Sequence, residues 1–297
     1  MDHDAGLGAL TRFARIEEAL SEKYMTLNRE LSRIASHYRL PDHSDLNQAR
    51  YPWVVPLFGK PAIYGSRLWE YPYAIISSEL KKGMKCADMG CGMTPFSIYL
   101  KEISGCQVVG VDCEIFPAGT RYKAFGVSLE FIERTGLKII QSGLDAVPLK
   151  SNSFDRVFCL SVIEHLDPET AQRGVREMAR IVRPGGVMVI TLDVNMMSDM
   201  SRPLDLIWES GLQPLGGIDI RWPRRRLGIF CDGKQPADVF GMVLAKEDYE
   251  VETQYSDNTE TVCVLPASLV PTLRRPMRRE PRWRRTVAGL MKRLLTR

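Results

Sequence analysis

Residues 86–92 read Cys86-Ala87-Asp88-Met89-Gly90-Cys91-Gly92, and twenty positions past Gly92 the apolar run Val108-Val109-Gly110-Val111 ends in Asp112. An apolar run ending in a Gly-rich turn, then a helical stretch, then a second apolar run ending in an acid is the pattern of a βαβ unit. Gly90 and Gly92 let the backbone turn tightly and let a ligand lie against bare main chain. Asp112 is placed to accept hydrogen bonds from two ribose hydroxyls. The pattern therefore predicts a pocket for an adenosine-containing cofactor at the strand ends.

A dinucleotide fingerprint needs a third small residue to close helix against strand beside a pyrophosphate. Here that register falls on Pro95. No Gly-Lys-Ser or Gly-Lys-Thr follows, so a Walker loop is absent as well. A ligand with adenosine but no phosphate fits better. At this point the residues resemble the class I S-adenosylmethionine (SAM) dependent methyltransferases, whose first motif is acid-x-Gly-x-Gly. Asp88, Gly90 and Gly92 match it, whereas the usual third Gly falls at Thr94. That departure leaves the conformation of the loop open.

The resemblance continues in order. Gly143-Leu144-Asp145 follows the apolar run Leu137 to Ile140. Phe154 to Leu160 reads as a fourth strand, followed by Ser161-Val162-Ile163-Glu164-His165-Leu166. Arg183-Pro184-Gly185-Gly186 then leads into Val187 to Leu192. This order of blocks is similar to the type 11 branch of the class I methyltransferases, which act mostly on small molecules, lipids and quinones. It covers about residues 65 to 195.

The resemblance implies roles residue by residue. Asp88 would bind the methionine amine, with Gly90, Cys91 and Gly92 as the backbone wall. Asp112 would take ribose, with Cys113 beside it as a small apolar liner. Asp145 would accept from the adenine amine, with Leu144 and Ala146 flanking the ring. Ser161 would lie beside the methionine and face the substrate. Arg67 and Tyr71, in a helix before the first strand, would meet the cofactor carboxylate and cap the sulfonium region, or else pack as an ordinary amphipathic helix. His165 is the candidate general base for a hydroxyl acceptor, since neutral imidazole is available at pH 7. Glu164 is its alternative, and a structural or substrate-lining role for His165 stays open. None of His3, His37, His43 and His165 shows ligand spacing, so no metal is expected.

Composition sets the bounds. The 297 residues suffice for one or two domains, with 44% hydrophobic and 26% charged residues as in an ordinary globular protein. The seven cysteines form no Cys-x-x-Cys, and five fall on or beside expected strands. They read as buried free thiols in a reducing compartment. Met1 to Leu10 lacks the apolar core of a signal peptide, and no apolar run reaches the roughly 18 residues of a membrane span. A cytoplasmic protein is expected, with peripheral membrane docking left open.

Alternating β and α segments predict a doubly wound, mostly parallel seven-stranded α/β sheet. Strands are expected near 85–89, 107–111, 138–141, 154–160 and 187–192, and helices near 95–103, 120–134 and 168–182. Gly185-Gly186 is read as the helix stop. A sixth strand within 211–220 and a seventh at 238–246 should pair as an antiparallel hairpin, with 227–236 inserted between them. Three regions follow: 1–64, an N-terminal helical extension and a Pro- and aromatic-rich loop; 65–250, the methyltransferase domain; and 251–297, a C-terminal extension with a basic amphipathic tail. In the first, Leu20, Tyr24, Leu27, Leu31, Ile34 and Tyr38 mark an amphipathic helix. Tyr51-Pro52-Trp53 and Pro56-Leu57-Phe58 could line a substrate mouth or simply tack the loop down.

The net charge of +4 hides an asymmetry. Residues 272–297 hold ten Lys or Arg and one Glu, a net of +9, which leaves 30 basic and 35 acidic residues elsewhere, a net of −5. Trp283, Val287, Leu290, Met291, Leu294 and Leu295 read as one apolar helical stripe, with Arg284, Arg285, Lys292 and Arg293 read as the basic residues outside it. Three readings stay open for this tail: an anionic membrane surface, packing on the body, or nucleic acid. Together these features predict a SAM-dependent methyltransferase acting on a small-molecule or lipid-linked acceptor, such as a lipid, quinone or lipid-linked glycan. Two alternatives remain, an RNA methyltransferase using the basic tail and a catalytically silent SAM-fold scaffold.

Overall fold

The computed structural model describes residues 10–41, 65–119, 126–195, 201–222, 229–231 and 235–246. All lie in the first of two compact units, Met1–Ala267. The aromatic loop motifs at 51–58 and the basic tail at 272–297 fall outside the described residues.

The described residues begin with strand β1 (Thr11–Phe13) and helices α1 (Ile16–Ala19), α2 (Glu22–His37) and α3 (Arg67–Ser77). Then come β2 (Lys85–Met89), α4 (Pro95–Glu102), β3 (Gln107–Asp112), β4 (Ile115–Phe116), β5 (Val127–Ser128), α5 (Leu129–Thr135), β6 (Lys138–Gln141) and β7 (Phe154–Leu160). A 3-10 turn (Ile163–His165) leads to α6 (Pro168–Ile181), β8 (Val182–Asn195), α7 (Ser201–Ser210), β9 (Gln213–Pro214), β10 (Ile218–Asp219), β11 (Ile229–Cys231) and β12 (Gln235–Ala245). The main sheet runs β10-β1-β12-β8-β7-β2-β3-β6. The five consecutive strands from β8 through β7, β2 and β3 to the edge strand β6 are parallel. β12 closes on β8 antiparallel over nine residue pairs, Ala237 to Ala245. The fold is the expected doubly wound α/β sheet.

Strand order reverses at β2. The chain passes outward through β3 to β6, then returns to β7 on the other side of β2. The loops after β2 and β7 therefore diverge and leave a crevice above the carboxyl ends of the strands, where ligands bind in open α/β sheets.

The edges differ from expectation. Among the described residues ten strands join the sheet, where seven were expected. β1 inserts between β12 and β10, antiparallel to the first and parallel to the second. The expected sixth strand splits into β9 and β10, and only β9 pairs antiparallel with β12, over two residues. The expected insertion at 227–236 contributes β11, paired with the start of β12. The helix expected over 120–134 is shorter: 127–128 are extended, and Ser128 caps α5 by accepting from Phe131 N at 3.1 Å. α6 ends at Ile181, before Gly185-Gly186. The Arg183–Gly186 stretch belongs to β8, at a register shift opposite Phe154 and Arg156.

α2 is placed by an apolar stripe of Tyr24, Leu31, Ile34 and Ala35, which packs on α3 and α4. It also carries a buried Asn28. Pro72 inside α3 has no N–H, so the carbonyl four residues back at Leu68 loses its helical donor. Asn28 Nδ2 donates to that carbonyl at 2.8 Å. A side chain from the neighbouring helix thus satisfies the acceptor that the proline leaves open. α3 is tied to the N-terminal segment too: Trp69 Nε1 donates to Glu18 at 2.9 Å and Tyr73 OH to Leu10 O at 2.8 Å.

Candidate cofactor and acceptor cleft

A cleft of about 530 Å³ opens at the ends of β2, β3, β6 and β7, within the range of small-molecule sites. It collects most of the residues picked out from the sequence. Asp88, Gly90, Cys91 and Gly92 come from the β2 turn, Asp112 and Cys113 from β3, Leu144 and Asp145 from the loop after β6, Ser161 and His165 from the segment after β7, and Arg67 and Tyr71 from α3. Two do not reach it. Ala146 is exposed beyond the loop and is not part of the lining. Glu164 turns away: its Oε1 accepts from Asp193 N at 3.4 Å and its Oε2 is buried with no hydrogen-bond partner. With three residues per turn, the 3-10 segment sends successive side chains in different directions, so His165 faces the cleft and Glu164 the interior.

Asp88 is 3% exposed, and Ser97 Oγ donates to it at 2.5 Å. Burial pushes its carboxyl up to about 7, opposed by the Ser97 bond and reinforced by the charge of Asp112. Asp112 Oδ2 accepts from Gly92 N at 2.9 Å, which ties the two motifs across the cleft floor. Asp145 pairs with Arg173 of α6 at 3.2 Å. Cys113 is exposed, unlike the buried Cys86, Cys91, Cys106 and Cys159, so the expectation of uniformly buried thiols fails at this loop position.

Gly90 has φ of +77°, and a Cβ there would lie 2.5 Å from Val162 Cγ2. Only hydrogen fits, for reasons of both backbone and space. Thr94 settles the point left open by the missing third glycine. Its φ of −119° is ordinary extended backbone, and its hydroxyl accepts from Phe96 N at 3.4 Å to cap α4, with Pro95 in the first turn. The loop turns at Gly90 and Gly92 and needs no glycine at 94.

At the other end Tyr71 is buried against Phe96, ring centroids 5.3 Å apart, and burial pushes its hydroxyl up to about 12. Arg67 forms an ion pair with the fully buried Glu70 of its own helix, and Ser161 Oγ donates to Glu70 Oε1 at 2.6 Å. Burial holds the Glu70 carboxyl above the usual range; Arg67 opposes this and Asp193 adds to it. Glu164 is raised as well, first by burial and then by Asp193. Sequence reasoning missed Glu70, although an Arg and a Glu three apart on an apolar helix were a signal for a paired buried acid. It also missed the apolar wall of Ala35, Leu40, Pro41 and Leu166.

Residues 87–190 match the family model described as a methyltransferase domain. With the motif loops converging on one cleft at the reversal point of the sheet, the assignment follows. Residues 87–190 form a class I SAM-dependent methyltransferase domain.

The methyltransferase domain is similar to several curated proteins. Over 113 residues the chain is 28% identical to a sterol 24-C-methyltransferase of Gibberella zeae, covering 36% of this chain and 27% of that one. Over 123 residues it is 32% identical to a demethylmenaquinone methyltransferase of Desulfitobacterium hafniense, covering 41% and 46%. Over 114 residues it is 30% identical to a probable tRNA methyltransferase 9B of Homo sapiens, covering 38% and 22%. The chain thus spans less than half the length of each of these relatives. Among the described residues, no group of three or more His, Cys, Asp or Glu side chains could hold a metal ion. No helix among them is long and apolar enough to cross a membrane.

Proposed function

We propose that the protein transfers a methyl group from SAM to a small-molecule or lipid-linked acceptor. The single observation that carries this reading is the convergence of Asp88, Gly90, Gly92, Asp112, Asp145, Ser161 and His165 on one cleft. The cleft chemistry fits the cofactor. Three carboxylates, from Asp88, Asp112 and Asp145, would meet an ammonium, a ribose diol and an exocyclic amine, while Gly90 and Gly92 offer bare backbone between them. Leu144 gives a flat apolar surface for a ring.

SAM supplies an electrophilic methyl on a sulfonium, a leaving group that needs no further activation. The protein's task is then alignment and exclusion of water. Asp88 would hold the methionine end, Asp112 the ribose and Asp145 the adenine end, and the Val162–Gly90 contact fixes the glycine loop beside Asp88. Tyr71 and Arg67 close the opposite side. His165 sits on the exposed rim, where its imidazole can take the proton of a hydroxyl acceptor. The wall of Ala35, Leu40, Pro41 and Leu166 supports an acceptor with apolar bulk. The buried free thiols support a reducing, cytoplasmic setting, and the +9 tail supports docking on an anionic membrane.

A second reading, an RNA methyltransferase, is favoured by the same tail and by the similarity to the tRNA methyltransferase 9B. Full-length protein incubated with methyl-labelled SAM and either a total lipid extract or total RNA separates the two. Label in the organic-soluble fraction supports the first, and label in RNA overturns it.

A further inference from the structure

Glu70 does not line the cleft, yet both of its partners do. It is 0% exposed, and it receives Arg67 on one carboxylate oxygen and Ser161 Oγ, at 2.6 Å, on the other. Its neighbourhood already holds the acids Glu164 and Asp193. A buried carboxylate in such company is a poor device for stability, since a well-packed apolar residue would usually serve as well or better. Its placement calls for another explanation.

That explanation lies in the turn after β7. Ser161 has φ of +49°, a left-handed conformation that residues with a Cβ adopt at a cost. Two bonds hold it there. Its N–H donates to Thr191 O at 3.0 Å, and its hydroxyl donates to Glu70. The turn delivers Val162, whose methyls occupy the space where a Cβ on Gly90 would stand, 2.5 Å from Cγ2. A continuous chain of contacts therefore runs from Arg67 through Glu70, Ser161 and Val162 to the glycine loop.

We propose that Glu70 is a positioning residue, which through the Ser161 hydroxyl holds the left-handed turn that sets Val162 against Gly90 and so keeps the cleft in its binding shape. It touches neither donor nor acceptor. Its contribution appears in ligand affinity through Ser161. The inference rests on the methyltransferase reading above.

The test measures S-adenosylhomocysteine affinity by calorimetry on full-length protein, together with the unliganded Tm. Glu70→Ala and Ser161→Ala should each weaken binding about tenfold, the scale of one hydrogen bond to a charged group. Because both act through one bond, the double variant should be no more than about threefold weaker than either alone. Glu70→Gln keeps a carbonyl for the Ser161 hydroxyl and should bind within about threefold of wild type. Ser161→Gly adopts the left-handed turn without strain, so it should bind at least about threefold tighter than Ser161→Ala. A merely structural Glu70 would lower Tm and leave affinity unchanged, and that result overturns the proposal, as does full additivity of the two alanine variants. If Glu70→Ala does not fold, the Ser161 pair decides, and equal affinity of Ser161→Ala and Ser161→Gly overturns it. Wild type that does not bind the ligand overturns the methyltransferase reading itself. Wild type that binds, with Glu70→Ala binding equally well, overturns only the role of Glu70.

Discussion

Asp88→Asn should make the unliganded protein more stable and the ligand weaker. Asp88 is 3% exposed, and burial raises its carboxyl from the usual 3.8 to about 7. In the pH range between those values the folded state binds a proton that the unfolded state has released. Stability of the wild type therefore falls as pH rises from about 4 to about 7, and the penalty is complete above that. A rise of that size corresponds to at most about 4 kcal/mol, at about 1.36 kcal/mol per pH unit. Relaxation around a buried charge reduces this, and about 2 kcal/mol is a fair expectation. The amide of the variant keeps an acceptor for Ser97 Oγ and carries no charge. For a body of this size that gain lifts Tm by about 4–8 °C at pH 8. The gap between variant and wild type should shrink to less than about half by pH 5. In the same protein S-adenosylhomocysteine should bind at least about tenfold more weakly, because in the proposed reading Asp88 holds the ammonium. Thermal melts from pH 5 to 8, with and without ligand, measure both effects. A Tm gain that does not grow with pH, or a loss of Tm at pH 8, would refute the reasoning.

Three other outcomes are expected. Asp112→Ala should weaken S-adenosylhomocysteine binding by at least about tenfold, since it removes the tie to Gly92 N and the proposed ribose acceptor; calorimetry checks this. Asn28→Ala should destabilise the protein by about 1–3 kcal/mol, read in a denaturant melt, because the Leu68 carbonyl opposite Pro72 is left buried without a donor. Deleting residues 272–297 should leave S-adenosylhomocysteine affinity intact and abolish sedimentation with anionic vesicles, because about 1 kcal/mol of attraction per basic residue is lost; full-length protein that ignores such vesicles at low salt and binds RNA instead contradicts the membrane reading.

The centre of the fold was legible because its signals are local. Apolar runs at 85–89, 138–141 and 154–160 end at glycines, acids or polar turns, and each is a strand with those bounds. The cleft followed from them, since parallel strands bring their carboxyl ends together. The margins were not legible, for physical reasons. β1 is three residues long, and Arg12 pairs with Gly241, so nothing near it in sequence announces a strand. Ser128 looked like one more residue of a helix but is its cap, with 127–128 extended before it. Glu164 and His165 are adjacent in a motif and share no direction, because both lie in one 3-10 turn, which sends successive side chains to different sides. The spacing of Arg67 and Glu70 signalled a paired buried acid, but the tie of Glu70 to the cleft was not legible, since its partner Ser161 lies 91 positions later.

The central claim is that the cleft between β2 and β7 holds SAM. Calorimetric titration of full-length protein with S-adenosylhomocysteine tests it most directly, with SAM, ATP and NAD as competitors. The account predicts one site per chain, displaced by SAM and indifferent to ATP and NAD, with binding weakened in Asp112→Ala. A flat titration, or binding displaced as readily by NAD as by SAM, would contradict it.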